Sequence, residues 1–359
     1  MCQLSYNLLG EVKRKRCKDD TVKIERIGVS EWKPPFLIQH FCISPTYTVY
    51  YQRNVERSTA RSLTNVPKLK AHGGTISKKA GRKIRYCFNW LIASSKIKNV
   101  YCKATGKTSF FKLNFITLTL AEKQRHSDNY VKDKMLSAFI QWLQRKHGVV
   151  SYIWKAESQL NGNIHFHITT NKFVHWQQIR HKWNSIQYQH GYNRGMTQDE
   201  FIKDTNGTDV TPVKKESELI GYMVKYFTKS DTELKYVCIS CAIPKEEKMM
   251  PDYYYKTDDE GLVWMGKRAI EGRLWNHSAN LLTTGFSIDE TDSAYADWQK
   301  VLMYYQTTAP IPTQYATVIP HRRIGIREFP SSVRVLLQNK IELINKNDRH
   351  KSLYVVETI

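Results

Sequence analysis

The chain has no run of about 18 apolar residues, so no membrane-spanning helix is predicted. Its opening, MCQLSYNLLGEVKRKRCKDD, lacks a long apolar stretch followed by a small-residue cleavage site, and a cytoplasmic location is expected. Cysteine is sparse: seven residues, an odd number, of which only Cys238-Ile239-Ser240-Cys241 has CxxC spacing. Without a second pair a zinc ribbon is not expected, and the thiols are read as reduced and structural. No repeat of solenoid length and no low-complexity segment is present. A complete phosphate-binding loop is also missing. Ala104-Thr105-Gly106-Lys107-Thr108 matches its end, but the first glycine of GxxxxGK[ST] would fall at Tyr101, so no nucleotide-driven motor is expected.

Negative charge is scarce as well, with 33 Asp and Glu against 55 Lys and Arg. The imbalance is uneven: residues 1–110 hold 22 basic and 6 acidic residues, which is +16 of the net +22. Clusters such as Lys13-Arg14-Lys15-Arg16 and Lys78-Lys79-Ala80-Gly81-Arg82-Lys83-Ile84-Arg85 are suited to phosphate contacts, and Tyr86, Phe88 and Trp90 to stacking on bases. Nucleic acid is therefore the expected partner. With 359 residues, 41% of them hydrophobic, two or three domains are expected. The pattern divides the chain into a basic, irregular region over 1–110, a regular region over 111–235 and a mixed, aromatic region over 236–359.

In the regular region, Phe115 to Leu120 alternates and predicts a strand. Residues 130–147 predict a helix stopped by Gly148, and 149–158 with 164–170 an antiparallel hairpin turning at Asn161-Gly162. A helix is predicted over 175–190, a long loop over 192–214 and another helix over 217–229; a terminal helix is expected over 332–346. This order predicts an α+β fold, a central antiparallel sheet backed by helices.

The hairpin carries Ile164-His165-Phe166-His167-Ile168. Residues two apart in a strand share a face, so His165 and His167 offer two imidazoles on one side while Phe166 and Ile168 pack on the other. A third ligand belongs on the neighbouring strand: Glu157, or Gln159 if the turn is longer. Two imidazoles and a carboxylate with open positions suit Mg²⁺ or Mn²⁺ acting on a phosphodiester, and would also bind Zn²⁺. In the 217–229 helix, Leu219, Ile220, Met223, Val224 and Phe227 form the apolar arc. Tyr222, Lys225, Tyr226 and Lys229 fall outside it, each tyrosine with a lysine three residues on. A tyrosine, with its pKa of about 10, needs such help to act as a nucleophile.

These three features in this order resemble the HUH endonucleases that initiate rolling-circle replication. Phe115 to Thr119 is similar to their first motif, His165-Phe166-His167 to the second, and Tyr222-x-x-Lys225-Tyr226-x-x-Lys229 to the two-tyrosine form of the third, as in microvirus-type phage initiators. Gly272-Arg273-Leu274-Trp275-Asn276-His277-Ser278 also resembles a segment of those phage proteins. The resemblance spans residues 111–235, with a long interval between His167 and Tyr222. It implies a metal held by His165, His167 and Glu157, catalysis by Tyr222 and Tyr226 with Lys225 and Lys229, and a 5′-phosphotyrosine on origin DNA. It also implies reliance on a host helicase and replication machinery.

Two other readings use fewer of these residues. His167-Ile168-Thr169 fits half of the HxT pair of a two-histidine RNA phosphoesterase, whose second half would have to be sought near His350-Lys351-Ser352. A non-enzymatic DNA- or RNA-binding protein would explain the charge without either tyrosine.

Overall fold

The structure, a computed structural model, describes residues 14–16, 22–24, 37–54, 76–102, 106–159, 161–213, 237–238, 255–257, 263–265 and 268–354. The fold is α+β, built on antiparallel sheets and consistent with a Rep-like architecture. Its main elements are β1 (Leu37–Ser44), β2 (Tyr47–Asn54), α1 (Lys78–Ser94), β3 (Leu113–Thr119), α2 (residues 128–147), β4 (Tyr152–Ser158) and β5 (Ile164–Thr170). They continue with α3 (Trp176–Gln189), α4 (Gln198–Asp204), β6 (Thr208–Val213), β7 (Trp275–His277), β8 (Phe286–Asp289), α5 (Ala294–Tyr305), β9 (Ile311–Pro312), β10 (Thr317–Pro320) and α6 (Ser331–Tyr354).

The first sheet has the order β6-β3-β5-β4-β7, with every neighbouring pair antiparallel. Its back face presents Ile116, Leu118, Trp154, Ala156, Phe166 and Ile168, all buried, as the period-2 alternation requires. Helices α2 and α3 cover that face: Trp183 meets both Phe166 and Phe139 edge-on, and its indole N–H donates to the Thr119 carbonyl at 2.8 Å. Helix α2 starts at the Ser127 cap and ends at Gly148, whose φ of 58° is the left-handed conformation that glycine adopts most easily. Among the described residues no helix is long and apolar enough to cross a membrane.

Residues 192–214, expected to be a loop, contain α4 and β6. Thr197 and Glu200 form a reciprocal capping box that starts α4. On α3, the buried Asn184 amide donates to the carbonyls of Ile202 and Thr205 at its end. Strand β6 then adds to the edge of the sheet, a position that tolerates Pro212.

The region expected to be irregular, 1–110, contains the β1–β2 hairpin and α1. These strands join a second sheet of order β8-β1-β2-β10-β9, whose members come from residues 37–54 and 286–320. Helix α5 lies against it, with Tyr295 stacked on Phe41 at 4.6 Å. Helix α1 contacts both β1 and β4, linking the two sheets. Its Lys78, Lys79, Arg82, Lys83 and Arg85 are exposed, whereas Phe88 and Trp90 are buried. Stacking of Phe88 and Trp90 on bases is thereby corrected: helical spacing with Ile84, Cys87 and Leu91 places them in the core. Tyr86 is half-buried and its hydroxyl accepts from that of Tyr47 at 2.8 Å.

Candidate metal centre

The site lies on the opposite face of the first sheet. Cross-strand register puts His165 between Thr119 and Glu157, and His167 between Thr117 and Lys155. Directly opposed residues share a face, so the glutamate joins the two histidines without any long-range adjustment. His165 Nε2 lies 3.0 Å from His167 Nε2, and Glu157 Oε2 is 3.7 Å and 3.6 Å from these nitrogens. Among the described residues these three form the His/Cys/Asp/Glu group able to hold a metal ion, all ligand atoms lying within 4.8 Å of one another. Two nitrogens bonded at about 2.1 Å to one cation at a right angle stand about 3.0 Å apart, so the donor set fits a divalent ion.

The surroundings orient these ligands. His167 stacks on Phe115, with ring centroids 5.3 Å apart and planes 12° from parallel, and its Nδ1 lies 3.3 Å from Thr117 Oγ1. A proton on Nδ1 shared with that hydroxyl leaves the Nε2 lone pair for a cation. Lys155, buried at 2% side-chain exposure, donates to Glu157 Oε1 at 2.7 Å, while Oε2 faces the histidines. Burial pushes the Glu157 carboxyl up, but hydrogen bonds from His165 and His167 and the charges of Lys155 and His167 outweigh it, holding the group well below the usual carboxylate range. Glu157 is therefore an anion at neutral pH.

Of the sequence-derived site residues, the structure brings Glu157, His165 and His167 together. Gln159 lies past the end of β4, in the turn, where its N–H donates to the Asn163 carbonyl at 2.8 Å. Tyr222, Lys225, Tyr226 and Lys229, with the helix expected over 217–229, lie outside the described residues, as does most of the CxxC segment. Sequence reasoning missed Thr117, Phe115 and Lys155, although alternation along β3 and β4 puts them on the histidine face. It also missed Trp275, opposite Lys155 on β7, and Asp209, opposite Thr117 on β6. Trp275 stacks on His277, 5.7 Å away, in the stretch singled out as phage-like.

Thr117→Val keeps the β-branched shape and removes the hydroxyl beside His167. Mn²⁺ affinity by calorimetry is expected to fall about 10- to 100-fold, the range found when a partner of a ligating histidine is lost. An unchanged affinity would show that Thr117 does not orient the ring.

Fold and site together define an α+β protein with a two-histidine, one-carboxylate cluster on an antiparallel sheet. Residues 113–231, about a third of the chain, match the family model of the replication-associated protein of the ORF2 type. Comparison with curated proteins and with solved structures finds no match. The matched segment begins at β3 and includes the metal cluster. It supports a replication-initiator-like protein with a role in replication initiation, and hence DNA binding.

Proposed function

We propose that the protein nicks and rejoins single-stranded origin DNA during rolling-circle replication. The observation that carries this reading is the convergence of Glu157, His165 and His167 inside the segment that matches the replication-associated family. Both tyrosines, at 222 and 226, also fall within that segment. A divalent cation such as Mg²⁺ or Mn²⁺, when bound, polarises the scissile phosphate. His165, His167 and Glu157 hold it, while exposed basic residues such as those on α1 bind the phosphate backbone.

The hydroxyl oxygen of one tyrosine attacks phosphorus. The bond to the 3′ oxygen breaks, leaving a 5′-phosphotyrosine and a 3′-hydroxyl that takes up a proton and primes synthesis. Lys225 and Lys229 offset charge on phenolate and phosphate. The second tyrosine cleaves the regenerated origin, and the 3′-hydroxyl released there attacks the first phosphotyrosine to close the circle. Strand separation is left to a host helicase.

The test incubates the full chain with single-stranded oligonucleotides from its own genome and Mn²⁺, followed by a denaturing gel. A covalent adduct is expected from wild type and none when Tyr222→Phe and Tyr226→Phe are combined. An adduct that persists in the double variant sinks the assignment. The phosphoesterase reading is disfavoured by Thr169: this threonine, which it would need at the substrate, is fully buried opposite Phe115 and Ile153.

A further inference from the structure

Beside the histidine strand lies an open cleft of about 310 Å³. It is formed by three segments, the loop after β3, the turn before β5 and the stretch preceding β7, and lined among others by Lys123, His126, Asn161, Asp128, Arg268 and Glu271. We propose that this cleft is a single-nucleotide subsite, holding the nucleotide next to the phosphodiester at the metal cluster and preferring a base with an exocyclic amino group. The proposal rests on the reading of the substrate as single-stranded DNA.

Position is the first argument. Asn163, in the cleft wall, precedes His165 by two residues, about 7 Å along an extended strand and within reach of one nucleotide. Size is the second: the volume lies at the low end for small-ligand sites, with room for one nucleotide and not for a longer segment.

The third argument is rigidity. Arg268 forms a double ion pair with Asp128, at 2.7 Å and 2.6 Å, and its guanidinium also donates to the carbonyl of Gly162. Gln124 accepts from Ile164 N–H at 2.7 Å, and the Asn163 side chain accepts from Gln124 N–H at 2.8 Å. The loop and the turn are thus fixed before any ligand arrives, which lowers the ordering cost of binding.

Chemistry selects the ligand. Asp128 and Glu271 set two carboxylates against the two cations Lys123 and Arg268, an arrangement unsuited to a bare anion. Lys123 and Glu271 are exposed at the open side, one able to meet a phosphate and the other to accept N–H groups. A base amino group donates to a carboxylate; thymine has only a single N–H between two carbonyls. His126, in the lining, stacks at 4.3 Å on the exposed Tyr130 and so adds an aromatic surface.

The test titrates the full chain, in EDTA, with a pool of randomised single-stranded oligonucleotides and sequences the bound fraction for wild type, Glu271→Gln and Lys123→Ala. Wild type is expected to favour amino-bearing bases at one position by about tenfold. Glu271→Gln should erase that preference, and Lys123→Ala should weaken binding of every sequence. Both substitutions are at exposed positions, and a thermal melt checks the fold. A preference unchanged in Glu271→Gln, or absent from wild type, overturns the subsite, while adduct formation by wild type in Mn²⁺ reports separately on the nuclease reading. Wild type that neither binds the pool nor forms an adduct overturns both.

Discussion

A variant combining His165→Ala with His167→Ala is expected to form about a thousandfold less covalent adduct than wild type under the same Mn²⁺ concentration. Binding of single-stranded DNA measured in EDTA should fall less than tenfold. The two imidazoles supply two of the three atoms that converge at the site, and with them gone Glu157 stands only beside Lys155. A metal contributes several kcal/mol of charge stabilisation in phosphoryl chemistry, and each ~1.4 kcal/mol is a factor of ten in rate. Affinity for the strand rests on phosphate contacts spread over the basic surface, which the substitutions do not touch. Both histidines are partly exposed, so the fold should survive, with the stacking of His167 on Phe115 the principal packing loss. Glu157→Gln, which keeps the shape and removes the charge, should fall between wild type and the double variant. An adduct yield within tenfold of wild type in the double-alanine protein would sink the metal reading.

The parts of this site that were legible in the sequence are those set by local periodicity. Alternation over Ile164 to Thr170 puts two histidines on one face, and the short hairpin turn fixes Glu157 opposite His165. The same alternation carries Lys155 and Thr117, overlooked because a buried lysine is recognisable only once its carboxylate partner is known. Residues 192–213 were misread because their turn-forming composition masks a capping box and an edge strand, both stabilised by contacts with α3 and β3 rather than by propensity. Pairing between distant segments leaves no local trace at all. Strand β8 meets β1 across more than two hundred residues, and β7 reaches the histidine sheet from beyond the matched segment. Phe88 and Trp90 illustrate the reverse error, since aromatics near basic residues look like a stacking surface until helical phase shows them facing inward.

Asp128→Ala is expected to be the most destabilising single change near the site, by about 3–5 kcal/mol, with the apparent melting temperature lowered by roughly 5–10 °C. The carboxylate is 3% exposed and accepts four hydrogen bonds: two from Arg268, one from the Gln124 amide at 2.8 Å and one from Glu271 N–H at 2.9 Å. Its removal leaves a guanidinium with 21% side-chain exposure facing a cavity, and detaches the 268–273 stretch from the start of α2. The cleft and the turn before His165 lose their anchor together. Burial pushes the Asp128 carboxyl up, but Arg268, Gln124 and the Glu271 amide outweigh it and hold the pKa below its ordinary 3.8. A carboxylate depressed in the folded state contributes its full stability above the unfolded value and loses it as pH falls through the folded one. The wild-type protein should therefore lose stability steeply below about pH 4, and Asp128→Asn, already weakened at neutral pH, should show a shallower slope there. Urea unfolding at pH 7 and at pH 3 separates the outcomes: equal acid sensitivity in the two proteins would mean that another carboxylate, and not this one, ties the cleft to α2.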